Sequence, residues 1–357
     1  RYICSVRAEE KENNNLGNIE LYPATSYNST IVSEPTTFKS DHSYFIRNDV
    51  NFMSSVEFQP RAQIFINPAC IVKIYGAITT PEFTSSRDMW KITSGKEIYS
   101  TSQVTMDVDS YYSAVNFYGD EINLKSGIVR YGSSGLSIID INSDNINYML
   151  FRDCGNALII EDGEIIINNI IVYKCSNFGI LYISNSDNNI SIYIIKCIII
   201  DILQRGIAIE NNGGLNINNC YFNNDNIAIF IRYSNSNIHN NEFVYNYIDI
   251  YNINNYNLIN EIHYNNFYKA HINIYPSGLI NNITYNNFYL GSNYFINILR
   301  DNPPYYTVYA DINAINNYWA LSEINQYLAD AEDDPRCPYY IIYIPKLSSP
   351  IIDAGIK

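Results

Sequence analysis

Down the C-terminal two-thirds of the chain, polar and apolar positions alternate in short runs that recur at a nearly constant distance. NNCYFNNDNIAIFI (218–231) is followed by NNEFVYNYIDIY (240–251), NNFYKAHINIY (265–275), NNFYLGSNYFINI (286–298) and NNYW (316–319). YGSSGLSI (131–138), CGNALII (154–160), KCSNFGILYI (174–183) and KCIIIDILQRGIAI (196–209) lead up to them. Tyr131, Cys154, Cys175, Cys197, Cys220, Asn241, Asn265, Asn286 and Asn316 read as one equivalent position, in steps of 21 to 24 residues with a last step of 30. A period of about 22 residues, carried by strand-type alternation and β-branched side chains, predicts an all-β parallel β-helix, a solenoid of stacked coils.

Within the best-aligned coils, Ile227/Ile229, Ile248/Ile250 and Ile272/Ile274 share one phase, which assigns them to the interior. The residues between them, Ala228, Asp249 and Asn273, are then expected on the outer surface. Phe222, Phe243, Phe267 and Phe288, each two residues past the anchor, form a further interior row. Parallel coils lie about 4.8 Å apart, and a slip of one residue would turn every Ile outward, so matched rows are required.

The repeat sets the expected boundaries. Residues 1–60 are polar and without a sustained period, which reads as an N-terminal cap or extension. The β-helix is expected over 61–318, and 319–357 as a C-terminal cap. ALSEINQYLADAEDD (320–334) reads as a short helix before Pro335, and YYIIYIPKL (339–347) as a final strand. A helix laid on the last coil would shield an open sheet edge.

The anchor–Phe–Ile-x-Ile repeat, the FINPACIVKIYG segment and the NNYW-to-DDP…YIPKL ending resemble the right-handed parallel β-helix repeat proteins, the NosD-like and pectate-lyase-like superfamily. The likeness spans roughly residues 60–350, and to tapirins it is a likeness of architecture only. It implies a right-handed, single-stranded coil of three parallel sheets and an extracellular or cell-surface setting. It does not imply one activity, since polysaccharide lyases, glycoside hydrolases, epimerases, tailspikes and adhesins share the fold.

Composition narrows the partners. The chain holds 22 Lys and Arg against 36 Asp and Glu, a formal charge of −14. That charge disfavours nucleic acid and anionic membranes, whose phosphates need cations, and no apolar run of 18 residues would span a bilayer. The opening RYICSVRAEE shows no apolar leader. Cys154, Cys175, Cys197 and Cys220 read as a ladder of buried free thiols rather than a metal site, because the spacing lacks any CxxC-type arrangement. With Cys4, Cys70 and Cys337 the total is seven, so at least one thiol stays unpaired within the chain. The Asn row reads as structural, stacked amides satisfying backbone groups at a turn.

For chemistry, the lyase alternative needs a Lys or Arg base beside calcium held by carboxylates. Lys174 and Lys196 are expected to stack on the surface, and Arg205 and Arg232 are the other cations of these coils, but no Asp cluster accompanies them. The hydrolase alternative needs converging carboxylates, and Asp201, Glu210, Asp225, Glu242 and Asp249 scatter over different phases. His239, His263 and His271 sit beside no recognisable acidic motif. No catalytic residue and no metal ligand is assigned. The favoured reading is glycan binding without catalysis and with no cofactor assigned, a calcium ion being left open. Its surface is Phe230, Tyr251 and Tyr275, expected outward in three successive coils, with Asp249 and Asn273 between them and the 299–306 loop as a flank. The partner is then a polysaccharide or cell-surface glycan, the location secreted or cell-surface. The alternatives are a carbohydrate-active enzyme or a structural protein that self-associates.

Overall fold

The computed structural model describes residues 5–7, 20–22, 24–27, 30–80, 88–96, 111–119, 121–184, 191–210, 214–253, 259–274, 280–289, 291–298, 312–320, 328–329, 341–342 and 344–356. They form a right-handed parallel β-helix with coils of about 22 residues. Each full coil passes three faces. Among the described residues, sheet one has thirteen parallel strands, the first Ala24–Tyr27 and the last Tyr318–Trp319. Sheets two and three are joined where Gly132–Asn147 and Asn156–Asn168 run through the bend as single long strands. Further along they are separate strands, such as Ile227–Arg232 in sheet two and Asn235–His239 in sheet three.

The core is a set of rows along the solenoid axis. In sheet one, Phe151, Val172, Ile199, Phe222, Phe243, Phe267, Phe288 and Trp319 stack in register and are buried. The four phenylalanines from Phe222 to Phe288 stack ring on ring at 4.8–5.0 Å, tilted by only 6–7°. Translation by one coil leaves identical flat rings face to face, and the offset stack supplies more than their buried area alone. In sheet two Ile229, Ile248, Ile250 and Ile272 are buried as expected, Ile227 is not, and Ile231, one alternation farther on, is buried as well. Ile207, Ile229, Ile250, Ile272 and Ile296 form one row, and Ile209, Ile231 and Asn252 the next, while Ile227 is half-exposed. The inward phase of these Ile rows holds, but the expected outward column does not: Gly206, Ala228 and Asp249, near the start of each strand, are buried too.

Two corners flank the sheet-one strands, and both pass through the left-handed region. Before the strand this residue is Tyr148, Asn169, Lys196, Asn219, Asn240, Tyr264, Tyr285 or Asn316, with φ of 51–57°; after it comes Asp153, Lys174, Asp201, Asn224 or Tyr245, with φ of 54–58°. Asn and Asp tolerate this conformation better than other residues with a Cβ. Part of the Asn richness is therefore corner geometry.

The residue after each of these left-handed positions is buried, and these residues make two rows. The first is Met149, Ile170, Cys197, Cys220, Asn241, Asn265, Asn286 and Asn317; the second is Cys154, Cys175, Ile202, Asp225 and Asn246. The four cysteines are thus two stacked pairs at opposite corners rather than one ladder, and the last anchor is Asn317 rather than Asn316. Sequence spacing does not separate the corners, because a Cys or Asn precedes an apolar run at each. Lys174 and Lys196, expected to stack, lie at different corners for the same reason. Cys70 and all four of these cysteines are free thiols; Cys4 and Cys337 lie outside the described residues.

At the first corner a backbone N–H has no partner in the sheets, and the next coil supplies one. Asn241 Oδ1 accepts from the Cys220 N–H (2.8 Å), Asn265 Oδ1 from Asn241 (2.9 Å), Asn286 Oδ1 from Asn265 (2.9 Å) and Asn317 Oδ1 from Asn286 (2.7 Å). Each amide also donates to the previous coil, as Asn241 Nδ2 does to the Ile217 carbonyl at 3.0 Å. Cys220 fills both roles at sulfur distances, accepting from the Cys197 N–H at 3.4 Å and donating to the Ile194 carbonyl at 3.5 Å. Thiol and amide exchange along the row because each offers an acceptor and a donor from one short side chain.

The coils begin earlier and end later than the repeat suggests. Residues 24–27 and 30–60, expected as part of a cap, already stack in parallel: Ser26 pairs with Phe45, and Phe45 with Phe65. Their interior is filled by Phe38, Tyr44, Phe52 and Phe58 on strands three or four residues long, so the Ile-x-Ile signature is missing. Ser5–Arg7 and Glu20–Tyr22 form a separate antiparallel pair. Of the helix expected over 320–334, residues 321–327 and 330–334 lie outside the described residues. Leu328–Ala329 is a parallel strand against Ile296 and Asn297, continuing the solenoid. Ile341–Ile342, inside the expected final strand, pairs with Ile312–Asn313.

Replacing Asn241 by Leu leaves the Cys220 N–H and the Ile217 carbonyl without these partners. It is expected to cost about 3 kcal/mol in urea denaturation, with the m-value unchanged. Asn241→Cys is expected to cost less than half of that; equal costs would show that the row works by packing rather than by hydrogen bonding.

Candidate functional site

The outer side of sheet three carries a continuous polar surface over five coils. Its strands Ser191–Ile195, Gly214–Asn218, Asn235–His239, Ile259–His263 and Ile280–Thr284 stack in register. Strict alternation fixes the two sides: Ile194, Ile217, Ile238, Ile262 and Ile283 point to the core. Tyr193, Asn216, Asn237, Glu261 and Asn282 form one outward column, and Ile195, Asn218, His239, His263 and Thr284 the next.

A shallow groove of about 270 Å³ opens over this face, lined by Ser191, Tyr193, Gly214, Leu215, Asn216, Asn235, Ser236, Asn237 and Glu261. Gly214 lowers its floor, because a side chain there would stand 3.2 Å from the Ser191 hydroxyl. The amides are held in place by neighbours: Asn218 Nδ2 donates to Asn216 Oδ1 at 3.0 Å, and the His263 ring nitrogen lies 3.0 Å from Asn237 Oδ1. His263 stacks on His239 (5.3 Å, 9°) and meets the edge of Tyr264 (5.3 Å, 78°). Tyr264 in turn stacks on Tyr285 at 5.5 Å, and the two rings remain 37% and 41% exposed. Burial holds His263 below its ordinary pKa against the opposing pull of Glu261, so its imidazole is neutral at pH 7. Among the described residues, Glu261 is the one formal charge lining the groove. Hydroxyls, planar amides, one tyrosine and a carboxylate can bind a ligand rich in neutral hydroxyls.

The residues favoured from sequence lie on sheet two and are mostly covered. Phe230 is 4% exposed, with the Arg205 guanidinium 3.6 Å above its ring and that guanidinium paired to Glu210 at 3.2 Å. Tyr251 stacks on Phe230 (5.8 Å, 9°) and keeps partial exposure. Asp249 and Asn273 are 1% and 5% exposed, and Tyr275 lies outside the described residues, as does the 299–306 loop. Within the described residues, the expected outward strip therefore offers a ligand little more than Tyr251. Sequence reasoning misses the outward column of sheet three because its residues look like ordinary strand polarity. The available signal is the polar middle position of SIYII, GLNIN, NSNIH, INEIH and INNIT.

What the structure does bring together on the Asp249 side is a buried polar chain at the second corner. Asp225 Oδ1 accepts from the Ile202 N–H (2.9 Å), and the Asp225 N–H donates to Asn246 Oδ1 (2.9 Å). Asn246 Nδ2 donates to Asp249 Oδ1 (3.0 Å), and Asp249 Oδ2 accepts from the His271 N–H (3.0 Å). Among the described residues, Asp225 Oδ2 is buried with no partner. Burial raises the Asp225 carboxyl well above the usual carboxylate range, with Asp201 and Asp249 adding to the shift. Burial raises Asp249 to about 7 against the hydrogen bonds from Asn246 and His271. Each carboxyl thus holds a backbone N–H of a neighbouring coil. Among the described residues no group of three or more His, Cys, Asp or Glu is placed to hold a metal ion.

Comparison with protein-family models, curated proteins and solved structures returned no match to this chain.

The buried carboxyls make stability depend on pH with a definite sign. An unfolded Asp titrates near 3.9, while folded Asp249 titrates at about 7, so the folded state holds the proton more tightly. The contribution is complete below about pH 4 and is lost as pH rises through about 7, roughly 4 kcal/mol over that window. Asp225→Asn keeps the acceptor for Ile202 and removes the ionisable group. It is expected to raise the melting temperature at pH 8 and to flatten the pH profile, with no gain at pH 4.

Proposed function

We propose that this chain is a secreted or cell-surface β-helix of the NosD-like and pectate-lyase-like repeat class, and that it binds a polysaccharide or other glycan without catalysis. The observation that carries the reading is the sheet-three groove. Tyr193, Asn216, Asn237 and Glu261 stand in one column at coil spacing, flanked by the exposed Tyr264/Tyr285 stack. Parallel-strand spacing of about 4.8 Å places a hydrogen-bonding side chain at regular intervals along the axis, and an extended glycan presents hydroxyls at comparable intervals. The rigid coils hold these groups in place before binding, which lowers the entropic cost of association. Such a surface requires no cofactor. The ligand is neutral rather than uronic, because the groove lining contains a carboxylate and neither Lys nor Arg among the described residues.

A glycan array followed by affinity electrophoresis in the retained polysaccharide tests this reading. Asn216→Ala and Asn237→Ala are each expected to weaken retention about tenfold, and Tyr193→Ala at least as much, with unchanged melting temperatures. Phe230→Ala is expected to lower stability through lost packing without selectively reducing retention. Two results would overturn the proposal: no glycan retains the protein, or all three groove variants are retained as strongly as the parent chain.

A further inference from the structure

The C-terminal segment shows what the outer face of sheet one can hold. After Leu347, which bridges to Tyr318, the chain runs back across the coils as a strap. Asn287 grips it at Ile351 from both sides, accepting from the Ile351 N–H (2.7 Å) and donating to its carbonyl (2.9 Å). Asn266 Nδ2 donates to the Ala354 carbonyl (3.1 Å), and the Gly355 N–H donates to the Tyr264 carbonyl (2.8 Å). Gly355 has φ +92°, and a side chain there would run into the Asn266 amide, so the strap passes closest at a residue that must be glycine.

The column that carries the strap continues beyond it. In register it reads Leu150, Ile171, Ile198, Tyr221, Glu242, Asn266, Asn287, Tyr318. The polar end is covered by the strap; at the apolar end Ile171 and Ile198 are 41% and 37% exposed. The strap also turns apolar side chains to solvent, with Ile352 97% exposed and Ile356 45%. Beside these two patches stand opposite charges. Lys196 is exposed two residues before Ile198, and Asp353 is exposed next to Ile352; neither has an ion-pair partner among the described residues.

We propose that this face is the interface between two copies of the chain. A two-fold axis lying in the plane of this face, parallel to the sheet-one strands and between the Tyr221 and Glu242 coils, lays each strap over the other copy's Ile171 and Ile198. Asp353 of each copy then meets Lys196 of the other. The contact is isologous: one surface carries both complementary halves, so two copies close it and no filament grows. It buries the aliphatic side chains that a monomer leaves in water, and the charge pair selects the register. For a chain of net charge −14, a local pairing of this kind also offsets long-range repulsion between copies.

The test is the oligomeric state of the full chain, by sedimentation equilibrium over a concentration series. A dimer is expected whose dissociation constant rises at least tenfold in Ile352→Asp and in Ile198→Asp. Lys196→Asp is expected to weaken it, and adding Asp353→Lys to Lys196→Asp to restore it. Ile352 stands almost wholly in solvent in the single chain, so its substitution tests the interface without touching the core. Unchanged circular dichroism and melting temperature verify this. A monomer at every concentration overturns the proposal, as does a dimer indifferent to Ile352→Asp, or a charge reversal that does not rescue. Capture of an unrelated protein by this face in place of a second copy would overturn it as well.

Discussion

The fold depends above all on how the backbone is satisfied where a coil turns into and out of sheet one. A strand inside a sheet finds its hydrogen bonds in its neighbours, but the corner N–H of each coil does not, and burying it unpaired would cost about 1–3 kcal/mol per coil. From Cys220 onward the chain meets this constraint with one short side chain per coil that accepts from the coil before it and donates back. The left-handed residue just ahead of each corner turns that side chain inward. Phe222 and its stacked successors lie two residues farther on, so the aromatic column is positioned by the same turn. The corner row, the interior rings and the alternation of sheet three follow from one repeated solution.

The architecture is legible in the sequence because periodicity is a property of the sequence itself. Spacing alone puts Cys220, Asn241, Asn265 and Asn286 in one row, and they are one row. What spacing does not distinguish is the two corners of a coil, since both place a small polar residue before an apolar run. Hence Cys154 and Cys175 fall at the corner opposite Cys197 and Cys220, and the row closes on Asn317 instead of its neighbour Asn316. The early coils escape the pattern for a different reason. Phe38, Phe52 and Phe58 fill them with aromatics on three-residue strands, and a search for β-branched alternation passes over such segments.

The surface is less legible than the core, for a physical reason. The repeat tells which residues point outward in the strands, but not which of those are then covered by a neighbour's side chain. Phe230 is on the outer row and is sealed by Arg205; Asp249 sits in a column that is buried together with Ala228. Accessibility is decided by side chains one coil away, at a separation of about 22 residues, and it becomes visible only when the coils are stacked. On sheet three the outward Asn216 and Asn237 stay half-exposed and line the groove, with their amide oxygens held by Asn218 and His263.

The corner row also has a direction. Asn241 accepts from the N–H of residue 220, Asn265 from 241, Asn286 from 265 and Asn317 from 286, so each corner N–H finds its amide acceptor later in the chain. Each of these coils is thus short of one corner hydrogen bond without its successor. The row is therefore polar along the solenoid axis, and loss of one coil's amide is felt first by the coil before it.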